Sequence, residues 1–328
     1  MARTACFPGV KPRRSNRFAW YAFAPIVGAI LRLVSSADAQ LPPSVAYQIN
    51  NDLANDAVSA IEIFSAANTV ATGVFKYDNA GPDDVEFQTY KLPLDHSFGP
   101  TNSALRPFVE GYLGYFDLRQ RITSFGFPPG EIKIKSLTAT AGGGATWQIT
   151  DWLATSPRLL LAYSHAWHHF DRNALPGDPF ATALPDWRLD ALTLLPSLEV
   201  KLKHSLRRWD FGANSRYTYS HVFGLNDTSV YIDLDSESHV WRNEVTVSYR
   251  SPLNVLGQSV RPFGLFARHD VAGQIRRSGF VAHFYEARLG IGLELPARLK
   301  PIREASLNFA YYFQSAFSGY SIGLDFNF

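Results

Sequence analysis

Between residues 285 and 295 the chain alternates Tyr285, Ala287, Leu289, Ile291, Leu293 and Leu295 with Glu286, Arg288, Gly290, Gly292 and Glu294. A period of two belongs to a β-strand, whose successive side chains point to opposite faces. Three other stretches have the same form. In 137–149, Leu137, Ala139, Ala141, Gly143, Ala145, Trp147 and Ile149 alternate with threonines, glycines and Gln148. In 241–250, Trp241, Val245, Val247 and Tyr249 oppose Arg242, Glu244, Thr246, Ser248 and Arg250. In 307–313, Leu307, Phe309, Tyr311 and Phe313 oppose Asn308, Ala310 and Tyr312. Charges keep to one parity in these stretches, and aromatic residues gather toward the ends of the apolar parity. Strands of soluble sandwiches average about five or six residues, whereas crossing hydrocarbon takes about 9–11 tilted residues. A lysine on the apolar parity would cost about 2–4 kcal/mol at a bilayer midplane and far less in water. Its absence points to a face that touches lipid.

The amino-terminal end supplies the route to a membrane. Residues 1–17 carry Arg3, Lys11, Arg13, Arg14 and Arg17 and no acid; Phe18 to Leu31 is uncharged and mostly apolar; Ala37-Asp38-Ala39 precedes Gln40. That order is a secretory signal peptide, with cleavage at Ala37, Ala39 and Gln40. As an anchor the apolar run falls short of the roughly 20 residues needed, and Arg32 interrupts it. Removing residues 1–39 takes six of the 31 Lys and Arg and one of the 29 Asp and Glu, leaving 25 against 28. The basic balance therefore belongs to the leader, and no nucleic-acid partner is expected. The single cysteine, Cys6, leaves with it, which excludes a disulfide framework and a thiolate metal site. No stretch after Gln40 is apolar for long enough to form a spanning helix. An exported all-β chain is either a secreted protein or an outer-membrane barrel, and the long two-faced segments select the barrel.

The expected fold is all-β and membrane-embedded: a closed antiparallel transmembrane β-barrel of about twelve strands, with an N-terminal helix in or near the lumen. Candidate strands lie near 69–77, 85–94, 105–116, 136–149, 158–169, 188–203, 207–222, 238–250, 259–269, 280–295, 304–314 and 319–328. The domain reading is signal peptide 1–39, helical and linker segment 40–68, and barrel 69–328. With the carboxyl end at the periplasm, an even strand count starts the first strand there too. Long loops are then expected outside, near 117–135, 170–187 and 223–237, and shorter turns inside, near 150–157, 204–206 and 251–258; 95–104 is a longer inner connection.

The wet parity carries the candidate functional residues: Glu110, Glu199, Lys201, Asp210, Arg216, Arg242, Glu244, Arg250, Glu286, Arg288 and Glu294, with Lys203 and Arg268 placed on the same side. Mixed signs of this kind pair across strands and stiffen a wall; a selectivity filter is the sharper alternative. Twelve strands lie between the filled interior of eight and the open channel of 16–18. Twelve-stranded outer-membrane phospholipases place a His and a Ser two apart on one outward face. Here Ser164-His165, Ser220-His221 and Ser238-His239 are adjacent and point oppositely, so a hydrolase would need a partner from a neighbouring strand. His165, His168 and His169 read as interfacial residues rather than metal ligands. Asp227, Asp233, Asp235 and Glu237 read as a solvated acidic loop, with divalent cations bridging lipopolysaccharide as the alternative. No cofactor is expected, since Gly142, Gly143 and Gly144 fall inside a strand rather than in a phosphate-cradling loop.

The chain ends on Tyr320, Ile322, Leu324, Phe326 and Phe328, alternating with small or polar residues. This resembles the signal read by the bacterial barrel-assembly machinery. It implies that machinery, periplasmic chaperones and the export translocon as partners, and outer-membrane lipid and lipopolysaccharide around the wall of a Gram-negative cell. Arg106-Pro107-Phe108, Arg261-Pro262-Phe263 and the final hairpin SLNFAYYFQSAFSGYSIGLDFNF look like an autotransporter β-domain. Proline at a strand entry costs no ladder bond; the parity assignment puts Phe108 inward and Phe263 outward. Only a short stretch separates Gln40 from the first strand, so the resemblance is to the solitary autotransporter-type barrel, a translocator-like domain without cargo. It implies an integral outer-membrane protein of mainly structural role; a small porin is the alternative, and a lipid-modifying hydrolase a weaker one. It also implies that the helix before the barrel lies in the pore. Residues 44–66 have helical spacing in Val45, Ile49, Leu53, Ala57, Ile61 and Phe64, with Asp52, Asp56 and Glu62 as their only charges. A periplasmic amphipathic segment is the other reading of that stretch.

Overall fold

A computed structural model describes residues 70–77, 85–100, 103–122, 130–171, 186–227, 234–255, 258–273, 282–295, 304–315 and 317–327. The cleavage residues, the 44–66 segment, Asp233 and Phe328 lie outside them. The strands are β1 (Val70–Tyr77), β2 (Val85–Ser97), β3 (Leu105–Ile122), β4 (Gly130–Thr150), β5 (Leu153–Asp171), β6 (Trp187–Leu206), β7 (Trp209–Asp227), β8 (Asp235–Tyr249), β9 (Asn254–Val255), β10 (Gln258–Gly273), β11 (His283–Glu294), β12 (Glu304–Gln314) and β13 (Phe317–Asn327). β9 is a two-residue ribbon on β10. The other twelve run antiparallel, each to its neighbour in sequence, and β13 returns to β1 from Val70↔Leu324 to Tyr77↔Phe317. Closure removes both sheet edges and pairs every strand on both sides, as hydrocarbon demands.

Outward positions carry the apolar band. Leu289 is 71% exposed, and Leu113, Leu137, Leu159, Leu198, Val245, Ile291, Leu307, Phe309 and Ile322 are about half exposed. Trp147, Trp152 and Trp209 mark the edge of this band near the short turns. Toward the loop end, Tyr90, Tyr163, Tyr217, Trp241, Tyr311 and Tyr320 mark the other edge. These are the two interfacial girdles of a membrane barrel.

Several strands are longer than expected, and the surplus lies mostly on the loop side. β4 has 21 residues, and β3, β5, β6 and β7 have 18 to 20. More than half of each of the stretches read as loops near 117–135 and 223–237 is in fact strand, with only 123–129 and 228–234 linking the strands there, whereas the loop near 170–187 lies close to its expected place, between Asp171 and Trp187. The reason is an inversion of polarity within a single strand. Along β4, outward Leu137, Ala139 and Ala141 give way above the girdle to outward Lys135, Lys133 and Glu131, while buried Ile132 and Ile134 point inward. β6 does the same, with Trp187, Leu189 and Ala191 inside and Arg188 and Asp190 outside. Above the membrane the outer face meets water, and the lumen becomes the dry side. Ala166, Trp187, Leu189, Ala191, Val222 and Leu234 pack there as a core cluster, and Phe75, Phe87, Phe317 and Phe284 form a chain of ring contacts at 4.9–6.3 Å around the opposite strands.

The β6–β7 turn is the two-residue Arg207-Arg208, and Arg207 has φ of 55°. Left-handed backbone costs an L-residue with a long side chain about 1–2 kcal/mol, and tight hairpins favour Asn or Gly there. Arg207→Asn is expected to raise the urea midpoint of the detergent-folded barrel, a gain of up to about 1 kcal/mol; an unchanged or lower midpoint would count against strain at this turn.

Candidate functional site: the charged belt in the lumen

Glu199 on β6 is fully buried. Its carboxylate accepts from Arg216 on β7 at 2.8 Å, lies 3.0 Å from Lys201, and contacts Arg158 on β5. Arg158 also makes a two-pronged bond to Glu110 on β3, at 2.9 and 3.0 Å. Asn214 on β7 donates to Glu199 at 2.6 Å and to Glu244 on β8 at 3.2 Å, and Glu244 pairs with Arg242 at 2.8 Å. Arg242 reaches across β10 to Glu286 on β11 at 3.3 Å. Glu286 is also fully buried and holds Arg288 (2.6 Å) and His269 (3.1 Å). The result is one continuous belt of charge around the lumen wall from β3 to β11. Such pairs endure desolvation only because each carboxylate meets several donors. On β2, Lys91 lies 4.3 Å from the Tyr112 ring. A cavity with about 50 Å³ open to water reaches from Lys91 and Glu110 to Ser197 and Arg216, in front of Arg158.

The glycines of β4 make the belt geometrically accessible. Gly142 and Gly144 face inward between Glu110 of β3 and Arg158 of β5, opposite Glu110 and Phe108 respectively. With no side chain on β4, the two charged groups meet over the intervening strand. A β-carbon on Gly144 would strike the Pro157 carbonyl oxygen and lie 2.8 Å from Phe108 Cζ; one on Gly142 would lie 2.7 Å from Leu160 Cα. Phe108 in turn stacks near the Arg158 guanidinium, at 5.3 Å. β10 repeats the arrangement: Phe263 faces Gly290 of β11, where a β-carbon would strike the edge of the ring. Both Arg-Pro-Phe tripeptides thus set a ring over a directly opposed glycine, a known way to support glycine in a sheet.

Phe263 therefore faces inward, like Phe108, and not outward as its parity suggested. Arg268 is corrected with it: it lies on the outer face beside Asp270, at 2.6 Å, and His269 takes the lumen side. An outward Arg–Asp pair sits at the loop end of β10, where the outer wall is already polar. Among the other expected lumen charges, Glu110, Glu199, Lys201, Arg216, Arg242, Glu244, Glu286 and Arg288 come together in the belt. Asp210, Arg250 and Glu294 lie instead at the short-turn end, where Asp210 binds Arg250 at 2.9 Å and Arg261 lies 3.6 Å from Glu294; Lys203 is exposed near the same end. Sequence reasoning missed Arg158, His269, Asn214 and Lys91. Arg158 stands at the start of the candidate strand 158–169, just after Pro157, which was read as turn, and its signal was the parity it shares with Leu160 and Ala162.

Ser164, Ser220 and Ser238 are buried inside the wall, and His165, His221 and His239 point outward, so the adjacent pairs diverge as their spacing implies. His165 and His169 each bind a different acid, Asp190 at 2.7 Å and Asp186 at 3.0 Å, while His168 stacks inside on Trp187 at 5.1 Å. Partial burial raises Asp186, but bonds from the His169 ring and the Phe170 N–H hold its carboxyl below its ordinary range. Asp235 and Glu237 flank His221 at 3.2 and 3.3 Å on the outer face. Tyr320, Ile322 and Leu324 face lipid, each about half exposed; Phe326 lies within β13.

A closed twelve-stranded wall with two aromatic girdles and a charged lumen is the geometry of an outer-membrane barrel. The model of the solitary outer membrane autotransporter beta-barrel domain matches residues 67–328. The chain belongs to that family. It is an outer-membrane barrel resembling autotransporter translocator domains. Among solved structures it is similar to the transport unit of AIDA-I from Escherichia coli, with 10% identity, TM-score 0.54, and 88% of this chain and 100% of that one covered. The translocator domain of NalP from Neisseria meningitidis aligns at 9% identity and TM-score 0.52 over 90% and 100%. The β domain of the Bordetella autotransporter BrkA aligns at 14% and 0.51 over 79% and 97%. At these identities the likeness is one of fold. No curated protein matches the chain.

Proposed function

We propose that this barrel is a closed structural element of the outer membrane, neither an enzyme nor an open pore. The observation that supports it is the complete burial of Glu199 and Glu286 inside the lumen. In a water-filled channel of this width, ionised carboxylates on the wall would be wet; here each is enclosed by cations and packed side chains. The acidic, helically spaced 44–66 segment is the proposed second seal, since its carboxylates complement a lumen wall rich in arginine. The full processed chain in planar bilayers is expected to show no steady porin-like current, and removing residues 40–66 is expected to raise the current. A stable open-channel conductance from the full chain would overturn the closed reading in favour of the small porin. An unchanged current after the deletion would leave the wall as the only seal. Release of fatty acid from outer-membrane lipid by the purified barrel would instead support the hydrolase.

A further inference from the structure

We propose that His269 is an acid-sensitive latch of the lumen wall: a proton on its imidazole loosens the charged belt between β8 and β11 and lets the closed barrel conduct. The inference rests on the closed reading above and adds to it the condition that reverses it.

His269 faces inward from β10 and is 4% exposed. It stands in register with Arg242 on β8 and Phe284 on β11. Its ring stacks on Phe284, with centroids 4.3 Å apart and planes 9° from parallel. Nε2 lies 3.1 Å from a Glu286 oxygen. A carboxylate only accepts, so Nε2 carries the proton and Nδ1 holds a bare lone pair. Nδ1 is buried and has no hydrogen-bond partner among the described residues. The inward neighbours are apolar and also buried: Ala267 and Val271 on the same strand, and Val240 on β8. A neutral ring suits such a place. An imidazolium would bring a second N–H, and a charge, to a spot with no acceptor.

The carboxylates on the strands around the ring are already engaged. Glu286 holds Arg288 at 2.6 Å and Arg242 at 3.3 Å. Glu244 on β8 is taken by Arg242 at 2.8 Å and by the Asn214 amide at 3.2 Å. Asp325 on β13 accepts from Asn308 at 2.9 Å, and Asp270 lies on the outer face with Arg268. Tyr312 on β12 packs toward Phe284, at 6.3 Å between rings. Among these groups only the histidine has an ordinary titration between pH 5 and 8. Its protonation adds a third cation to one carboxylate and a bare donor to an apolar wall. Either water enters to solvate Nδ1–H or the ring leaves its stack. Both disturb Glu286, and with it the Arg242 contact that ties β8 to β11 across β10.

The test records single-channel current of the full processed chain in planar bilayers at about pH 7.5 and about pH 5, either side of the ordinary histidine range. One proton shifts an equilibrium by up to about tenfold per pH unit. Wild type is expected to be closed at the higher pH and to gain at least about tenfold in open fraction at the lower, reversibly. His269→Gln, which keeps a donor for Glu286, and His269→Phe, which keeps the stack on Phe284, are expected to stay closed at both. His221→Gln, on the outer face between Asp235 and Glu237, is expected to open like wild type. Folding is read separately from heat-modifiable gel mobility, and either His269 variant decides the matter if the other fails to fold. Wild type closed at both pH values, a His269 variant that opens like wild type, or an acid current that persists on return to the higher pH would overturn the latch. A steady current at the higher pH would overturn the closed reading instead; the latch would then stand or fall on whether acid raises that current only where His269 is present.

Discussion

Glu199→Leu is expected to destabilise the folded barrel by about 3–5 kcal/mol, the usual cost of removing one member of a buried ion network. The carboxylate is fully buried and accepts from Arg158 and Arg216, with Lys201 3.0 Å away and the Asn214 amide bound to the same group. Leucine would leave these cations close together inside the wall, with Glu110 still bonded to Arg158 but no carboxylate shared among the three. The loss therefore comes from stranded cations, and removing a cation in turn should return part of it. In Glu199→Leu with Arg158→Met, the two changes should be clearly non-additive, because the residues share partners. Urea-dependent unfolding from lipid vesicles, followed by tryptophan fluorescence, would show this. A wild-type midpoint in Glu199→Leu would mean that the belt lines the lumen without holding it together.

Gly144→Val is expected to abolish assembly outright, seen as the absence of the heat-modifiable folded band in outer-membrane fractions. A β-carbon at 144 collides with the Pro157 carbonyl oxygen, which is backbone and cannot rotate away, and lies 2.8 Å from the Phe108 ring. Opening β4 from β5 by the needed distance would break ladder bonds in a wall where no water replaces them. It would also separate Glu110 from Arg158, which meet only because Gly142 and Gly144 leave the strand between them bare. Gly212→Val is the control: its β-carbon would meet nothing nearer than 3.7 Å, so the folded band should persist. A normal folded band in Gly144→Val would show that the three strands can part, and that close strand packing is not what keeps glycine at this position.

Much of the lipid-facing half of the barrel was legible. In the 285–295 and 307–313 stretches one parity is apolar throughout, and the strands found there, β11 and β12, lie close to the expected 280–295 and 304–314. The loop-side half was not legible, because the pattern reverses. Lys133, Lys135 and Glu131 occupy the same parity as Leu137 and Ala139, so a search for one apolar face ends the strand where the solvent changes. The same reversal misplaced Arg268, which shares the outward parity of Phe266 but stands above the lipid. For the charged belt, the sequence supplied most of the members but no partners: Glu110 and Arg158 are 48 positions apart and separated by a whole strand.

Residue alternation by itself determined that this chain is a membrane barrel of about twelve strands, since period two with charges confined to one side is a local property that hydrocarbon selects strand by strand. Only the tertiary structure decided which charges meet and that the lumen is dry above the girdle. Those properties depend on register and curvature across several strands, and neither is written in the spacing of residues along any single one.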